Sequence, residues 1–415
     1  ACGLHQTGHP PPASLLQMPV TVRTVTCALN LTRDRSTWEG ALRSATEFLA
    51  AAQKRCEAAG HEVQTVRVET QPFEEYLDPA DEESFLAGVG QLSEICTSLG
   101  LGFFNIGPAR SVAAVQRIPQ ITARYSNIAC SAAVPAVDGV VPDMEMADAT
   151  ARAVMEISRQ TETGFGNFNF CASFNCGPGI PFFPAGYAPS PLPGGGSPSF
   201  AIGCQTSDLV AEAFEAAAAG GTRDLLAARD HVKAVFEREM KPLEALGRSL
   251  AETLPVTYAG IDASVAPAPH IVSLVTAFES LGLGRFGSPG TLAVCGVLTS
   301  ALKSLDLQLV GYTGLMLPPL EDTGLAERCS AEEAPVRVHD LLSYSCVCGL
   351  GLDCVPIPGD ADPAAVSALF CDAAVMAFRL GKPLTARLFP VPGKGAGERT
   401  DFSSPHLCNM RVMQL

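Results

Sequence analysis

Short apolar runs alternate with longer amphipathic stretches along most of the chain. Apolar runs bounded by turn residues are typical of β-strands, and the stretches between them carry apolar residues at the three- and four-residue spacing of helices. This alternation predicts largely parallel strand pairing with helices packed outside the strands. The predicted strands are Val20–Leu29, Glu62–Val68, Gly102–Ile106, Ile128–Ala132, Gly166–Cys171, Phe200–Cys204, Val256–Ile261, Gln308–Tyr312, Leu352–Ile357 and Thr385–Phe389.

Residues typical of helix ends mark several of the intervening helices. Ser36, with a glutamate three residues later, matches a capping box, and Asp143 precedes a second amphipathic stretch. Asp362 and Pro363 open the last long helix, and Gly381 closes it. Since ten strands are many for an open sheet, we predict an α/β fold of the closed kind, a ten-stranded α/β barrel with helices outside.

The chain is predicted to form a flexible extension over residues 1–17 and a single α/β-barrel domain over residues 18–415. A Pro/Gly-rich insertion, CGPGIPFFPAGYAPSPLPGGGSP, interrupts this domain at about 176–198. Long loops of this kind are usually functional or mobile. Two interpretations stay open for it, a lid over a binding site and an irregular surface excursion.

Composition narrows the function classes. The 415 residues include 43 acidic and 28 basic side chains, a net charge of −15, and no Lys/Arg cluster, so nucleic acid is not an expected partner. The 15 cysteines are mostly scattered singly and lack CxxC spacing, which favours a reducing compartment over a disulfide scaffold. No uninterrupted apolar stretch is expected to span a membrane, and no targeting segment is recognised. The predicted location is the cytoplasm.

Carboxylates follow several predicted strands, next to loops of Gly, Pro and small residues. Asp262 and Ser264 follow one strand and Asp353 lies within another, so acid–base catalysis is the role predicted for these three residues. Glu321 is predicted to bind ligand. Together with Asp322, Asp353, Asp360 and Asp262, it offers oxygen ligands for a divalent cation. The alternative interpretation is that these side chains cap helices and solvate turns.

A second group of candidates suits an anion. Gly287, Ser288, Gly290 and Thr291 open a predicted helix, where free backbone N–H groups favour phosphate or carboxylate. The segment matches neither GxxxxGK[ST] nor GxGxxG, and a tight strand-to-helix turn explains it equally well.

Three further polar residues are ligand-binding candidates. Asn167 and Asn169 alternate along a predicted strand, which places both on one face, either lining a cavity or joining a buried hydrogen-bond network. Lys394 lies between two glycines and is a candidate clamp for an anionic group.

Six segments in order resemble the family called domain of unknown function 711. They are VRTVTCALNL, GIDASVAPAP, LGRFGSPGTLA, GLMLPPLED, GLGLDCVPIPGD and ARLFPVPGK, between about Val22 and Lys394. The resemblance implies a fold similar to the ten-stranded barrel of glycyl radical enzymes of the pyruvate formate-lyase type. It implies no assigned reaction.

The C-terminal segment departs from the glycyl radical pattern. Those enzymes carry a glycine in an R-V-x-G-aromatic segment, whereas here Arg411 and Val412 are followed by no glycine, and the last glycine is Gly397. No glycyl radical is therefore expected.

These observations predict a cytoplasmic protein that binds a small polar or anionic metabolite at a barrel mouth, as a non-radical enzyme. The alternative is a catalytically silent barrel that acts as a structural or regulatory component of a homo-oligomer or protein assembly. A small-molecule ligand is the expected partner. The sequence does not decide whether a divalent cation is bound.

Overall fold

The computed structural model describes residues 19–193, 196–221 and 223–415, and the extension predicted for residues 1–17 lies outside them. The described chain is a mixed α/β protein built on a nine-stranded sheet. The strands are β1 Thr21–Leu29, β2 Val66–Thr70, β3 Phe104–Ala109, β4 Ile128–Ala133, β5 Phe170–Phe174, β6 Ser199–Gln205, β7 Thr257–Asp262, β8 Gly351–Pro358 and β9 Leu384–Val391.

The strand order across the sheet is β7-β6-β1-β2-β3-β4-β5-β9-β8. Strands β1 to β5 pair in parallel, as do β6 with β7 and β8 with β9. The two antiparallel pairs are β1 with β6 and β5 with β9. The prediction of an α/β fold with largely parallel strands is therefore confirmed.

The tenth predicted strand, Gln308–Tyr312, is not a continuous strand. Around it the chain makes only isolated parallel bridges to the β7 side, one of which joins Ile261 and Leu309. The reason lies in the backbone, because Gly311 at φ 62° and Thr313 at φ 39° interrupt the extended conformation. Ten strands are thus not confirmed and closure into a barrel is not shown, so the likeness in fold to glycyl radical enzymes stays a prediction.

Helices cover one face of the sheet. Helix α1 packs on β1 and β2, α7 on β7, and α12 on β5 and β9, and their apolar sides join the sheet in one large buried cluster. The helices are α1 Trp38–Ala58, α2 Glu82–Ser98, α3 Val112–Val115, α4 Ile118–Arg124, α5 Met144–Gln160, α6 Ser207–Gly220, α7 Leu225–Thr253, α8 Leu274–Ser280, α9 Thr291–Lys303, α10 Thr323–Cys329, α11 Val338–Tyr344 and α12 Pro363–Leu380.

Among the described residues, helix α12 alone is long and apolar enough to cross a membrane by length and composition. This corrects the expectation that the sequence contains no such segment. In the fold, Val366, Phe370 and Ala373 of this helix are fully buried, and it packs against α5 and the sheet. These contacts are those of a helix in a protein core.

The other face of the sheet is covered by the described part of the insertion at 176–198. The side chains of two strands anchor it: Thr26 Oγ1 donates to the carbonyl of Pro181 at 2.8 Å, and Asn105 Nδ2 donates to the carbonyl of Pro184 at 2.8 Å. Both strand residues are fully buried beneath the insertion. We call this side of the sheet the inner face.

Candidate functional site

A cavity of about 70 Å³ lies between the inner face and the insertion. This is room for several water molecules or for one small chemical group. Phe182, Phe183 and Ala185 of the insertion form part of its wall, so the insertion covers the cavity. The charged side chains in the wall are Arg23, Arg67, Glu321, Asp353 and Arg387.

Strand alternation places two of these charged side chains, Arg67 and Arg387. Side chains two residues apart on a strand share a face, and Arg67 and Glu69 of β2 are such a pair, as are Thr385 and Arg387 of β9. The intervening Val68 is fully buried in the cluster beneath the helices. The strands therefore send apolar side chains to the helices and polar side chains to the inner face.

An irregularity in β8 directs two consecutive side chains, Asp353 and Cys354, toward the charged groups of the cavity. The pairing of β8 with β9 shifts register between Leu352 and Val355, and Cys354 has φ 48°. A bulge of this kind re-aims side chains. Here Asp353 and Cys354 both reach the side chains next to the cavity.

A buried ion-pair network joins four of these residues. Arg387 Nε donates to Asp353 Oδ1 at 2.6 Å, and Arg387 Nη2 donates to Glu321 Oε1 at 2.9 Å. Arg23 Nη2 lies 3.3 Å from the other oxygen, Glu321 Oε2. Glu321 therefore has two arginine partners, whereas Asp353 shares one of them.

The two carboxyl groups differ in pKa because of this sharing. Burial acts to raise the pKa of Glu321, but the positive charges of Arg387 and Arg23 outweigh it and hold that pKa below its usual value. Burial raises the pKa of Asp353, and the nearby negative charge of Glu321 adds to the effect, with Arg387 opposing both. Of the two groups, Asp353 is the one that more readily takes up a proton.

Arg67 has a different environment from the other two arginines. Its guanidinium lies 5.3 Å from the ring centre of Phe103 and 5.2 Å from that of Phe183, and its Nε donates to Thr65 Oγ1 at 3.0 Å. No carboxylate of the described residues lies within ion-pair distance of it. Burial, together with the positive charges of Arg23 and Arg387, lowers the pKa of Arg67 to about 9. The negative charge of Glu321 opposes this lowering only in part, as expected for a cation with no carboxylate at ion-pair distance.

One group of side chains in the network has the composition of a metal site. Glu321, Asp353 and Cys354 each offer one ligand atom, and these atoms lie within 4.8 Å of one another. The guanidinium of Arg387 already donates to both carboxylates. A divalent cation would have to displace this guanidinium and would meet its repulsion, so the donor set does not favour a cation here.

The thiols near the cavity are poor nucleophiles. Burial raises the pKa of Cys171, which lines the cavity, and of Cys354, which donates from Sγ to Glu321 Oε1 at 3.0 Å. Both are therefore neutral thiols near pH 7. Every cysteine that the structure describes is free of a disulfide.

The sequence-predicted residues fall into two groups. Asp353, Glu321 and Asn169 line the cavity. Asp262 and Ser264 do not: Asp262 Oδ1 accepts hydrogen bonds from the backbone and hydroxyl of Ser264 and from the backbone N–H of Thr313, and Oδ2 accepts from the backbone N–H of Tyr312. These bonds, and one of 3.1 Å from the N–H of Gly314 to Ser264 Oγ, hold residues 312–314 against the end of β7.

The predicted anion loop before α9 also lies apart from the cavity. Three of its N–H groups have internal partners: Gly287 donates to Thr291 Oγ1 at 3.0 Å, Ser288 to the carbonyl of Arg285 at 3.0 Å, and Thr291 to the carbonyl of Ser288 at 3.1 Å. The hollow beside Gly290 and Thr291 has a volume of about 10 Å³, room for one water molecule at most. This geometry is that of a tight turn.

Asn167 and Lys394 also lie outside the cavity wall. Asn167 belongs to a 3₁₀-helix, Glu162–Asn169, rather than to the predicted strand, which begins only at Phe170, so its alternation with Asn169 on a strand is wrong. Its Nδ2 donates to the carbonyl of Val154. Lys394 forms an ion pair of 3.1 Å with Asp401.

Sequence reasoning missed the three arginines Arg23, Arg67 and Arg387. A signal for them exists, since each is a charged residue inside a run of apolar and β-branched residues: VTVRTVT, VRVET and ARLFPV. An arginine in such a strand must find a buried partner or line a cavity.

The fold and the site define a mixed α/β protein with a nine-stranded, mostly parallel sheet and a cavity rich in arginine on its inner face. Residues 15–403 match the family described as "Uncharacterised ACR (DUF711)", and the chain belongs to this family. The resemblance found in the sequence is thereby confirmed.

Relatives named UPF0210 protein come from archaea and bacteria. The relative from Pyrobaculum islandicum is 28% identical over 417 aligned residues, covering 94% of this chain and 89% of its own length. A relative from Oleidesulfovibrio alaskensis is 32% identical over 230 residues, 54% of this chain and 49% of its own. UPF0210 protein MJ1665 from Methanocaldococcus jannaschii is 31% identical over 178 residues, 42% of this chain and 38% of its own.

Proposed function

We propose that this protein is a cytoplasmic, non-radical enzyme that binds a small carboxylate metabolite in the arginine cavity. The observation that carries the proposal is Arg67, which faces the cavity without a carboxylate partner among the described residues. A planar guanidinium held between two rings presents its N–H edge in a fixed orientation, which suits the two oxygens of a carboxylate.

The charge of the cavity supports a monoanion. Three arginines and two carboxylates line it, so one positive charge is in excess when both acids are ionised. A ligand of charge −1 would complete the neutralisation, and it would also relieve the repulsion between Arg67 and the other two guanidinium groups.

Asp353 is the residue we propose for acid–base work. It lies in the cavity wall, and its pKa is raised by burial, which brings proton exchange closer to neutral pH. Arg387 holds this carboxyl at 2.6 Å, so the acid has a fixed position. A screen of carboxylate metabolites would identify one that the unaltered protein converts. The variant Asp353→Asn is expected to lose turnover of that metabolite.

Titration with acetate tests the binding proposal. We expect acetate to bind, and Arg67→Gln to weaken binding about tenfold or more, because a charge-assisted hydrogen-bond pair is lost. The matched control is Arg248→Gln, since Arg248 also lies over an aromatic ring, that of Tyr258, but belongs to the exposed surface of α7. Acetate affinity that is unchanged in Arg67→Gln, or absent in the unaltered protein, contradicts the proposal.

A second candidate function, the catalytically silent assembly component, is favoured by an exposed apolar patch. Val137, Val141, Met144 and Val375 are between 39% and 71% exposed, and Met144 Sδ lies 3.3 Å from Cys371 Sγ, one helical turn before Val375. Clustered exposed apolar side chains mark protein interfaces. Self-association through this patch is the property that this candidate requires.

A further inference from the structure

A second and larger hollow lies directly beside the arginine cavity. It has a volume of about 650 Å³ and opens between the 3₁₀-helix Glu162–Asn169 and the segment 403–406. The two hollows share the side chains of Phe103, Phe168 and Asn169. The outer hollow is within the usual size range of sites for small organic ligands.

Aromatic rings form one side of the outer hollow. The rings of Phe165 and Phe168 are stacked, with centres 5.2 Å apart and an angle of 6° between their planes. The imidazole of His406 lies 6.4 Å from Phe168 at 21°. Both phenylalanines are only partly buried and His406 is exposed, so ring surface is left open to a ligand. Flat rings are well suited to stack on such surface.

The two phenylalanine rings that the hollows share lie beside the arginines of the inner cavity. Phe103 is one of the two rings beside the Arg67 guanidinium, and the Arg387 guanidinium lies 5.2 Å from the ring centre of Phe168. A flat ligand stacked in the outer hollow would therefore have its anionic group next to Arg67. The rim of the outer hollow carries exposed hydroxyl groups, those of Ser126 and Ser403, which can bond to polar ring atoms.

We infer that the outer hollow and the arginine cavity are two halves of one binding site, and that its ligand is an aromatic or heteroaromatic carboxylate. The carboxylate occupies the inner cavity and the ring occupies the outer hollow, in contact with Phe165 and His406. This inference rests on the proposed function and names the class of ligand for the same site.

Three carboxylates of equal charge test it: acetate, cyclohexanecarboxylate and nicotinate. Nicotinate is flat and heteroaromatic, whereas cyclohexanecarboxylate has a similar size without a flat ring. We expect nicotinate to bind more tightly than cyclohexanecarboxylate by about threefold to tenfold, the worth of a ring stack beyond its buried area. His406→Ala and, separately, Phe165→Leu should remove most of this preference and leave acetate affinity unchanged.

The matched control is His231→Ala, which removes an exposed imidazole on α7, outside both hollows. Equal affinity for nicotinate and cyclohexanecarboxylate, or a preference that survives both substitutions, overturns this inference and leaves the proposed function standing. If acetate does not bind, the proposed function is wrong, and this inference, which rests on it, fails as well.

Discussion

Glu69 is a buried carboxyl group whose Oε2 has no hydrogen-bond partner among the described residues. It lies on the inner face beneath the insertion, so close to Gly186 that a Cβ there would be 2.5 Å from Oε2. Burial raises the pKa of Glu69 well above its usual value. A buried carboxyl without a cationic partner is held in its neutral, protonated form.

This residue gives the fold a dependence on pH. The unfolded chain loses the Glu69 proton near pH 4.3, whereas the folded protein keeps it to higher pH. The free energy of unfolding should therefore fall as pH rises from about 4.3 to the folded-state pKa. We predict that Glu69→Gln removes this contribution and stabilises the protein at pH 8 by about 1 kcal/mol or more.

Urea unfolding at pH 5 and pH 8 measures the effect. Glu47→Gln on the exposed side of α1 is the matched control and should change stability little at either pH. A Glu69→Gln protein that is less stable than the unaltered protein at pH 8 would show that the ionised carboxylate has a partner.

At the scale of elements, Asp262 joins β7 to the segment that follows Gly311. Its two oxygens accept four hydrogen bonds, three of them from backbone N–H groups, and the side chain is fully buried. Gly311 has φ 62°, and a Cβ there would lie 2.1 Å from Asp262 Oδ2. The close approach explains why this position in the turn is a glycine.

Asp262→Ala distinguishes this structural role from the catalytic role predicted from sequence. Loss of the acceptor leaves buried N–H groups of Tyr312 and Thr313 unpaired, so we predict a loss of about 2–4 kcal/mol in the free energy of unfolding. Ser264→Ala, which keeps the Asp262 carboxylate, should cost about 1 kcal/mol. A catalytic carboxylate in a strained site would behave in the opposite way, and its removal would leave the fold equally stable or more stable.

The sequence predicted the ends of those helices at which a single capping residue decides where the helix begins or stops. Asp143 caps α5 by accepting from the N–H of Met146, and α12 begins at Pro363 after Asp362 and ends at Gly381 in the left-handed conformation, all as predicted. The Ser36 capping box is wrong, because Asp34 accepts the hydrogen bonds of Ser36 and a 3₁₀-turn precedes α1. Two competing caps within three residues cannot be ranked without tertiary context.

The site was harder to predict than the elements because it depends on long-range neighbours. The position of Asp353 in an apolar run of β8 makes it a candidate from the sequence alone, and the residue lies in the cavity wall. The three arginines that line the cavity with it come from other parts of the chain: Arg23 on β1, Arg67 on β2 and Arg387, its ion-pair partner, on β9. The antiparallel joins of β6 to β1 and of β9 to β5 decide which strands become neighbours, and no local pattern encodes them.

At the scale of the whole molecule, a strongly acidic chain encloses a cavity of opposite charge. The net charge is −15, yet the arginines outnumber the carboxylates in the inner cavity. A net charge that makes polyanionic partners unexpected does not argue against a small anion, because a buried arginine acts over a short range and exposed charges are screened by salt.

The exposed apolar patch leads to a prediction about the assembled state. Val141 and Met144 are 51% and 54% exposed, and Val137 is close to them in the chain. Met144 contacts Cys371 of α12. A single patch can pair with its own copy across a two-fold axis, so we predict a dimer in solution.

Replacing both Val141 and Met144 by Glu buries like charges opposite each other and should give a monomer. Leu226→Glu on α7, where the side chain is 60% exposed away from the patch, is the matched control and should leave the dimer intact. Light scattering coupled to size-exclusion chromatography measures the mass directly. A monomeric unaltered protein contradicts self-association through this patch and removes the main support for an assembly role, while acetate binding by the same monomer would leave the enzyme proposal unaffected.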